Sequence, residues 1–196
     1  HGANPRAVRQ ADLFRDPVQE QWDVILANPP FSVRIEHPDA LRRFSLAQGR
    51  GRVASDTLFL QAAHDRLRPG GRLAVVLPRS ILSNDSYRWL RQWLSARFVR
   101  RAIVSLPEGV FRPFGGTTAR AAVLVLQKLP ASAEAFAVGV VESPGYDTSR
   151  KAFRKTESDD LSVLRLGWQQ NRLPTAPSTA RTWVPEEFLS HSTIPE

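Results

Sequence analysis

Four consecutive residues, Asn28-Pro29-Pro30-Phe31, combine groups that could activate a planar amino group for methyl transfer. The lone pair of such an amine is delocalised into its ring, so hydrogen-bond acceptors must bind its hydrogens before it can attack a methyl group. The side-chain oxygen of Asn28 is one acceptor, and the carbonyl of Pro29 is a second because Pro30 interrupts regular pairing. Phe31 offers a face on which an extruded base can stack, worth about 1–3 kcal/mol per base. An ordinary turn after a strand is the other interpretation.

The elements predicted around this motif are strands that alternate with helices. Trp22–Ala27 is a continuous apolar run, which predicts a strand buried on both faces and ended by the prolines. Further strands are predicted at 72–77, 102–106, 119–126 and 135–141, and helices at 55–68, 84–94 and 161–170. The alternation predicts an α/β fold with a mostly parallel sheet. Ligands of such sheets bind beyond the carboxyl ends of the strands, so the motif and the loops after residues 77 and 106 should share one rim.

The composition fits a globular enzyme and excludes several other classes of protein. The chain has 196 residues, of which 42% are hydrophobic and 23% are charged. No apolar run is long enough to span a bilayer, and no secretory signal is visible, so we expect a cytoplasmic protein without a membrane partner. The absence of cysteine excludes disulfides and thiolate metal sites, and His37 and His64 show no metal-ligand spacing. No metal is therefore expected.

The net charge of +8 suits a polyanionic partner, although genomic base composition explains it nearly as well, since only three of the 27 basic residues are lysines. A basic stretch follows the motif and predicts phosphate contacts beside an extruded base, with a solvated loop as the alternative. This stretch consists of Arg34, Arg42, Arg43, Arg50 and Arg52. Lys151, Arg154 and Lys155 are interpreted as ordinary surface charge.

Residues 1 to about 128 resemble the N6-adenine DNA methylase family, and most closely the modification subunit of type I restriction–modification enzymes. The resemblance lies, in family order, in Ala11-Asp12-Leu13-Phe14, Asp23–Phe31, Leu58-Phe59-Leu60, Leu67–Pro78, Val104–Phe111 and Phe114–Thr118. It implies a partial Rossmann-like methyltransferase sheet, mostly parallel with an antiparallel last strand. That catalytic domain would occupy residues 1–130, and residues 131–196 would form a small C-terminal extension and linker.

The resemblance also implies a methyl donor, S-adenosylmethionine, and residues that bind it. Asn28-Pro29-Pro30-Phe31 corresponds to the family's catalytic motif. Asp12 would accept a hydrogen bond from the adenine amino group of the cofactor, and Leu13 or Phe14 would lie against the adenine ring. A solvated loop acid or a helix cap is the alternative interpretation of Asp12.

A second aromatic residue is implied opposite Phe31. Phe111 or Phe114 would stack on the other face of the extruded base, or would be a core aromatic under a loop. Gly115-Gly116 would let the loop backbone approach DNA or the cofactor, or would be simple turn glycines.

One family feature has no counterpart in the sequence: the glycine-rich cofactor loop with the acidic residue that binds the ribose. The chain also contains no Met. We therefore interpret it as a fragment of a site-specific DNA adenine-N6 methyltransferase of a restriction–modification system, inactive alone. Its expected partners are double-stranded DNA and either specificity and restriction subunits or a fused recognition domain. The alternatives are methylation of protein glutamine or of guanine N2 in ribosomal RNA, and an inactive DNA-binding or assembly module.

Overall fold

The computed structural model describes residues 10, 12–16, 20–116, 118–130, 134–180 and 183–189; Ala11 and Thr117, which belong to two segments of the family resemblance, lie outside these residues. The helices and strands are, in chain order, β1 (Trp22–Ala27), β2 (Arg34–Ile35), α1 (Pro38–Arg42), β3 (Val53–Ala54), α2 (Ser55–Arg66), β4 (Leu67–Pro78), α3 (Ser80–Ser83), α4 (Arg88–Ser95), β5 (Val99–Ser105), β6 (Ala121–Gln127), β7 (Phe136–Val140), β8 (Pro144–Tyr146), β9 (Lys155–Asp159), α5 (Asp160–Gln169) and β10 (Thr175–Ala176).

The predicted strands and helices are confirmed, with some boundaries displaced. The largest displacement is at β4, which begins at Leu67, directly after α2, instead of after the Pro69-Gly70-Gly71 turn. This turn is part of the sheet because Leu67 pairs with Trp22, and Gly70 donates a hydrogen bond to the carbonyl of Lys128. The segment 84–94 divides into a 3₁₀ turn capped by Asn84, whose side chain accepts from the N–H of Ser86, and α4.

The main sheet has six strands in the order β1-β4-β6-β5-β7-β10. β1 runs parallel to β4, and β5 runs parallel to β7, whereas β6 is antiparallel to both of its neighbours. The short β10 is antiparallel to β7. The fold is therefore α/β with a mostly parallel sheet into which β6 inserts in the opposite direction, as the resemblance implies. Two small antiparallel ladders, β2-β3 and β8-β9, lie outside this sheet.

The main core covers one face of the sheet. Alternate residues of β4, Leu73, Val75 and Leu77, are fully buried on this face, where Leu90 and Leu94 of α4 join the same apolar cluster. The opposite face is packed differently, because α5 approaches it closely at Gly139 of β7. A Cβ atom at Gly139 would lie 2.8 Å from Cδ2 of Leu164, so glycine permits the close packing of this helix.

The expectation that β1 is buried on both faces is wrong. Within the described sheet β1 is an edge strand, and Trp22, Val24 and Leu26 are 50%, 57% and 77% exposed. Ile25 and Ala27, on the other face, pack against the main core. The error has a physical cause, because a continuous apolar run favours a strand but does not reveal whether another element covers its outer face.

Residues after 130 extend the same sheet through β7 and β10. The side chain of Arg100 fastens the last described segment to this region, since its guanidinium lies 4.5 Å from the ring centroid of Phe136 and 4.9 Å from that of Trp183. It also donates to the carbonyl of Ser178. Residues on both sides of position 130 therefore contribute strands to one sheet, and the domain boundary there stays a prediction. In the part of the chain that the structure describes, every helix is too short or too polar to cross a membrane.

Shortening a side chain in the main core should lower the stability of the fold. Leu124 of β6 is fully buried in the main core, so Leu124→Ala should lower the free energy of unfolding by about 2–5 kcal/mol. Leu166→Ala removes the same atoms from an exposed position on α5 and should change it by no more than about 0.5 kcal/mol. Urea unfolding of both variants measures the difference, and equal losses would contradict this description of the core.

Candidate active site

The Asn-Pro-Pro-Phe motif leaves the sheet at the carboxyl end of β1. Asn28 and Pro30 are exposed, Pro29 is buried and Phe31 is half-buried. Among the residues that the structure describes, none forms a hydrogen bond with the side chain of Asn28 or the carbonyl of Pro29. Both acceptors that the sequence predicts are therefore available to a ligand.

The motif is fastened to the first turn of α2. The hydroxyl of Ser55 donates to the carbonyl of Pro30 at 2.9 Å, and the N–H of Ser55 donates to the carbonyl of Val33 at 2.7 Å. Between these contacts, the N–H of Ser32 donates to the carboxylate of Asp56 at 3.1 Å. Ser32 has a φ of 54°, a left-handed conformation that is uncommon for a residue with a side chain. The loop therefore takes its shape from contacts with α2.

Asp56 was predicted only as the start of a helix, and its contact with the motif was missed. Its side chain is fully buried and accepts from the N–H groups of Ser32 and Thr57, at 3.1 and 2.8 Å. Burial raises the pKa of Asp56, while the two N–H donors act in the opposite direction. The position at the start of α2 suits a negative charge, because the helix dipole is positive there. Only an acid at a helix start was visible in the sequence.

The structure separates the two candidates for the second aromatic residue. The ring centroid of Phe111 lies 6.2 Å from that of Phe31, with an interplanar angle of 77°. Phe114 instead contacts Tyr146 and Phe153, with centroid distances of 5.5 and 6.0 Å. The geometry thus favours Phe111 as the partner of Phe31. The two rings are nearly perpendicular, so they do not form a parallel pair on either side of a base.

Close backbone packing shapes the loop that carries Phe111. Gly116 donates to the carbonyl of Phe111 at 2.9 Å, and a Cβ atom at Gly116 would lie 2.6 Å from Cβ of Phe111. Gly115 has a φ of +75°, in the left-handed region that glycine tolerates. The conformation and packing of the loop itself therefore explain why glycine occupies both positions, which is consistent with the turn-glycine interpretation.

The predicted cofactor residues, Asp12, Leu13 and Phe14, form a turn that contacts the last residue of α2. One oxygen of the Asp12 carboxylate accepts from the N–H groups of Phe14 and Arg15, at 2.9 and 3.2 Å, so it caps its own turn. Arg66, the last residue of α2, donates to the carbonyl of Leu13 at 3.2 Å. The motif is fastened to the opposite end of α2, so the structure does not bring Asp12 and Asn28 to one end of the helix.

The surroundings of this segment fit a cofactor only in part. Leu13 and Phe14 pack on a small apolar cluster, where Phe14 meets Phe44 edge to face with a centroid distance of 6.1 Å. The other carboxylate oxygen of Asp12 is exposed and lies 3.4 Å from Nε of Arg15. An exposed acceptor beside a half-buried ring suits an adenine, but these residues do not form a complete cradle. Their cofactor role stays a prediction.

The five predicted DNA-contacting arginines are exposed, but they differ in their surroundings. Arg42 pairs with Asp39, Arg43 donates to the carbonyl of Asp16 at 3.1 Å, and the guanidinium of Arg50 lies 4.4 Å from the ring centroid of Trp89. Arg34 lies on β2, and Arg52 directly precedes β3. Their phosphate contacts stay a prediction. Across the described parts of the chain, no group of three or more His, Asp or Glu side chains is placed to hold a metal ion.

The sheet order, the antiparallel β6 and a rim loop with two available acceptors define a Rossmann-like methyltransferase segment. The profile of the N-6 DNA methylase family matches residues 1–162, so the chain belongs to the N-6 DNA methylase family.

Individual relatives agree with this assignment. The chain is 35% identical over 121 residues to the methylase subunit of the type I restriction enzyme EcoEI from Escherichia coli, covering 59% of this chain and 24% of that subunit. A crystal structure assigned as a type I modification subunit from Vibrio vulnificus superposes with a TM-score of 0.60 and 27% identity, covering 82% of this chain and 34% of the other. One assigned as a class I S-adenosylmethionine-dependent methyltransferase from Listeria monocytogenes shares the fold, with a TM-score of 0.59, 17% identity and coverage of 80% and 44%. The chain thus spans 24% to 44% of the length of these proteins.

The burial of Asp56 predicts a pH dependence. Because the folded-state pKa is raised, the contribution of Asp56 to stability is complete below the ordinary aspartate pKa of about 3.9 and is lost as the pH rises through the folded-state pKa. Asp56→Asn removes this titration while keeping the shape of the side chain. The free energy of unfolding of the wild type, relative to this variant, should therefore fall with rising pH and then become constant.

Denaturant unfolding of both proteins from acidic to neutral pH measures this difference. A relative stability that increases with pH would contradict the prediction, because it would mean that the N–H donors outweigh burial. Asp85→Asn, at an exposed carboxylate at the start of the 3₁₀ turn before α4, serves as the matched control.

Proposed function

We propose that this chain carries the target-base half of the active site of a site-specific DNA adenine-N6 methyltransferase from a restriction–modification system. The observation that supports this most directly is the pair of available acceptors, the side chain of Asn28 and the carbonyl of Pro29, beside the ring of Phe31. Anchors on Ser55 and Asp56 hold these groups at the rim of the sheet.

The proposed chemistry follows from these groups. Asn28 and Pro29 accept the two hydrogens of an extruded amino group, which draws the nitrogen lone pair out of conjugation and towards the methyl group. Phe31 supports one face of the base, and Phe111 borders it. S-adenosylmethionine, when bound, supplies a methyl group on a positively charged sulfur. No general base is required, because the proton can leave after the methyl group has been transferred.

The proposed partners are double-stranded DNA and either specificity and restriction subunits or a fused recognition domain. The similarity to a type I methylase subunit supports the subunits, and the net charge of +8 supports the DNA.

Removing the amide of Asn28 should abolish methylation. Asn28→Ala deletes one of the two acceptors, and removal of a single transition-state hydrogen bond at an active site costs about a hundredfold or more in rate. We expect N6-methyladenine to disappear from the DNA of cells that express this gene product as their sole adenine methylase, measured by mass spectrometry of digested nucleosides.

Asn84→Ala is the matched control. It removes an exposed Asn amide that caps a helical turn, so it costs about 1 kcal/mol of stability and should leave methylation intact. Unchanged N6-methyladenine in the Asn28 variant would contradict the proposal. If the gene product instead caused methylation of protein glutamine or of guanine N2 in RNA, without N6-methyladenine, the substrate would be protein or RNA and not DNA adenine. Failure of the complete gene product to bind S-adenosylmethionine in calorimetry would favour an inactive module.

A further inference from the structure

The hairpin of β8 and β9 stands outside the main sheet, and the sequence analysis assigned its cations to ordinary surface charge. β8 and β9 pair antiparallel, with Pro144 opposite Asp159 and Tyr146 opposite Lys155. Residues 147–154 join the two strands. We call residues 144–159 the rim hairpin, because it packs against the loop that carries Phe111.

Three contacts fasten the rim hairpin to this loop. The hydroxyl of Tyr146 donates to the carbonyl of Val110 at 2.8 Å, and burial raises the pKa of this hydroxyl, which keeps it protonated as a donor. Nη1 of Arg112 donates to the carbonyl of Ser149 at 2.6 Å. The backbone of Gly109 packs closely against the backbone of the hairpin, because a Cβ atom at Gly109 would lie 2.5 Å from the carbonyl oxygen of Thr148. The hairpin and the loop therefore form one unit, and Phe111 connects this unit to Phe31.

The rim hairpin and the loop together present an aromatic surface. Phe114, Tyr146 and Phe153 contact one another with centroid distances of 5.4 to 6.0 Å. Phe114 is 63% exposed and Phe153 is 58% exposed, so the surface faces solvent. Exposed rings gathered in one patch indicate a binding surface. Tyr146 packs on the same apolar cluster as Phe31 and Phe111, so this surface lies next to that aromatic pair.

The segment that joins β8 and β9 carries a positive charge, whereas β9 itself also contains two acids, Glu157 and Asp159. Residues 147–155 contain four cations and one acid, Asp147. Hydrogen bonds from the hydroxyl and N–H of Ser149, at 2.6 and 2.8 Å, hold Asp147 within the turn and lower its pKa. Asp147 also lies 3.4 Å from Nε of Arg150, whereas Lys151 and Arg154 are exposed. Cations interleaved with exposed rings are the combination that binds the phosphates and unstacked bases of nucleic acid.

We propose that the rim hairpin is a DNA-binding arm that holds the strand next to the extruded base. Phe114 and Phe153 stack on an unpaired neighbouring base, and Lys151 and Arg154 contact the adjacent phosphates. This inference rests on the proposed function, and it replaces the interpretation of Lys151, Arg154 and Lys155 as ordinary surface charge. The position of this surface next to the pair Phe31–Phe111 favours DNA over an acidic protein as the occupant.

Binding of two labelled probes by the complete methyltransferase, with its co-purifying subunits, tests the stacking. One probe is a fluorescein-labelled duplex of mixed sequence, and the other contains a central unpaired bubble. Phe153→Ala should weaken binding of the bubble probe by roughly fivefold to a hundredfold and affect the paired duplex less. Phe153→Trp should restore the affinity. Trp168→Ala, at an exposed aromatic of α5, is the matched control and should change neither.

The charge variants give an independent measurement. In Lys151→Ala/Arg154→Ala, the slope of log affinity against log salt for the duplex should decrease by about 0.9 for each phosphate that the protein no longer neutralises. Arg88→Ala/Arg97→Ala removes two exposed cations of the α4 region and should leave the slope unchanged.

Two outcomes would overturn the proposal. The first is wild-type affinity for both probes in all rim-hairpin variants. The second is wild-type DNA affinity together with loss of a co-purifying subunit, which would assign the hairpin to a protein partner. If Asn28→Ala still abolishes N6-methyladenine in either case, the proposed function stands and only the DNA-binding arm fails. If Asn28→Ala leaves methylation unchanged, the proposed function itself fails.

Discussion

The hydrogen bond from Ser32 to the buried carboxylate of Asp56 is the contact on which the candidate site depends. Pro29 and Pro30 have no N–H groups, so this part of the loop has little means of fixing its own shape through backbone pairing. The anchors must come from outside, and Ser55 and Asp56 supply them from the first turn of α2. Burying a carboxylate is costly, and two N–H donors and the start of a helix offset part of that cost. The same anchoring leaves the side chain of Asn28 and the carbonyl of Pro29 available.

Apolar packing and close backbone contacts, instead of a buried carboxylate, hold the loop that follows β5 and carries Phe111. Phe31 and Phe111 pack on one apolar cluster with Leu106 and Val110, which couples the loop after β1 to the loop after β5. Backbone approaches that only glycine allows then fix the loop after β5, both internally and against the rim hairpin. The aromatic pair is therefore positioned from two sides. A shift of the rim hairpin would move Phe111 relative to Phe31 while the acceptors on the loop after β1 stayed in place.

Local sequence pattern was sufficient for the longer strands and helices, but it missed short elements such as β2, β3, β8 and β9 and the contacts between elements. The apolar run of β1, the helical spacing in α2 and the apolar segment of β6 each identify their element, because burial imposes the pattern locally. The motif 28–31 also predicts a chemistry without a structure. The anchor between Ser32 and Asp56 joins residues 24 positions apart, and the hydrogen bond from Tyr146 to Val110 spans 36. Neither pair carries a periodic signal, so both the buried acid and the rim hairpin were missed.

The exposed outer face of β1 bears on how the acceptors are held. Val24 and Leu26 face solvent beside the motif, and β1 has a described neighbour on only one side, where Ala27 pairs with Val75. If contacts on the exposed face or the free edge of β1 set the position of Asn28, the site would depend on groups outside the described residues. The hydrogen bonds instead join the loop to α2, since Ser32 donates to Asp56 and Ser55 donates to the carbonyl of Pro30. Ile25 and Ala27 face the main core. The described hydrogen bonds that hold the loop of the acceptors therefore come from α2, and the packing of the strand before this loop comes from the inner face of β1.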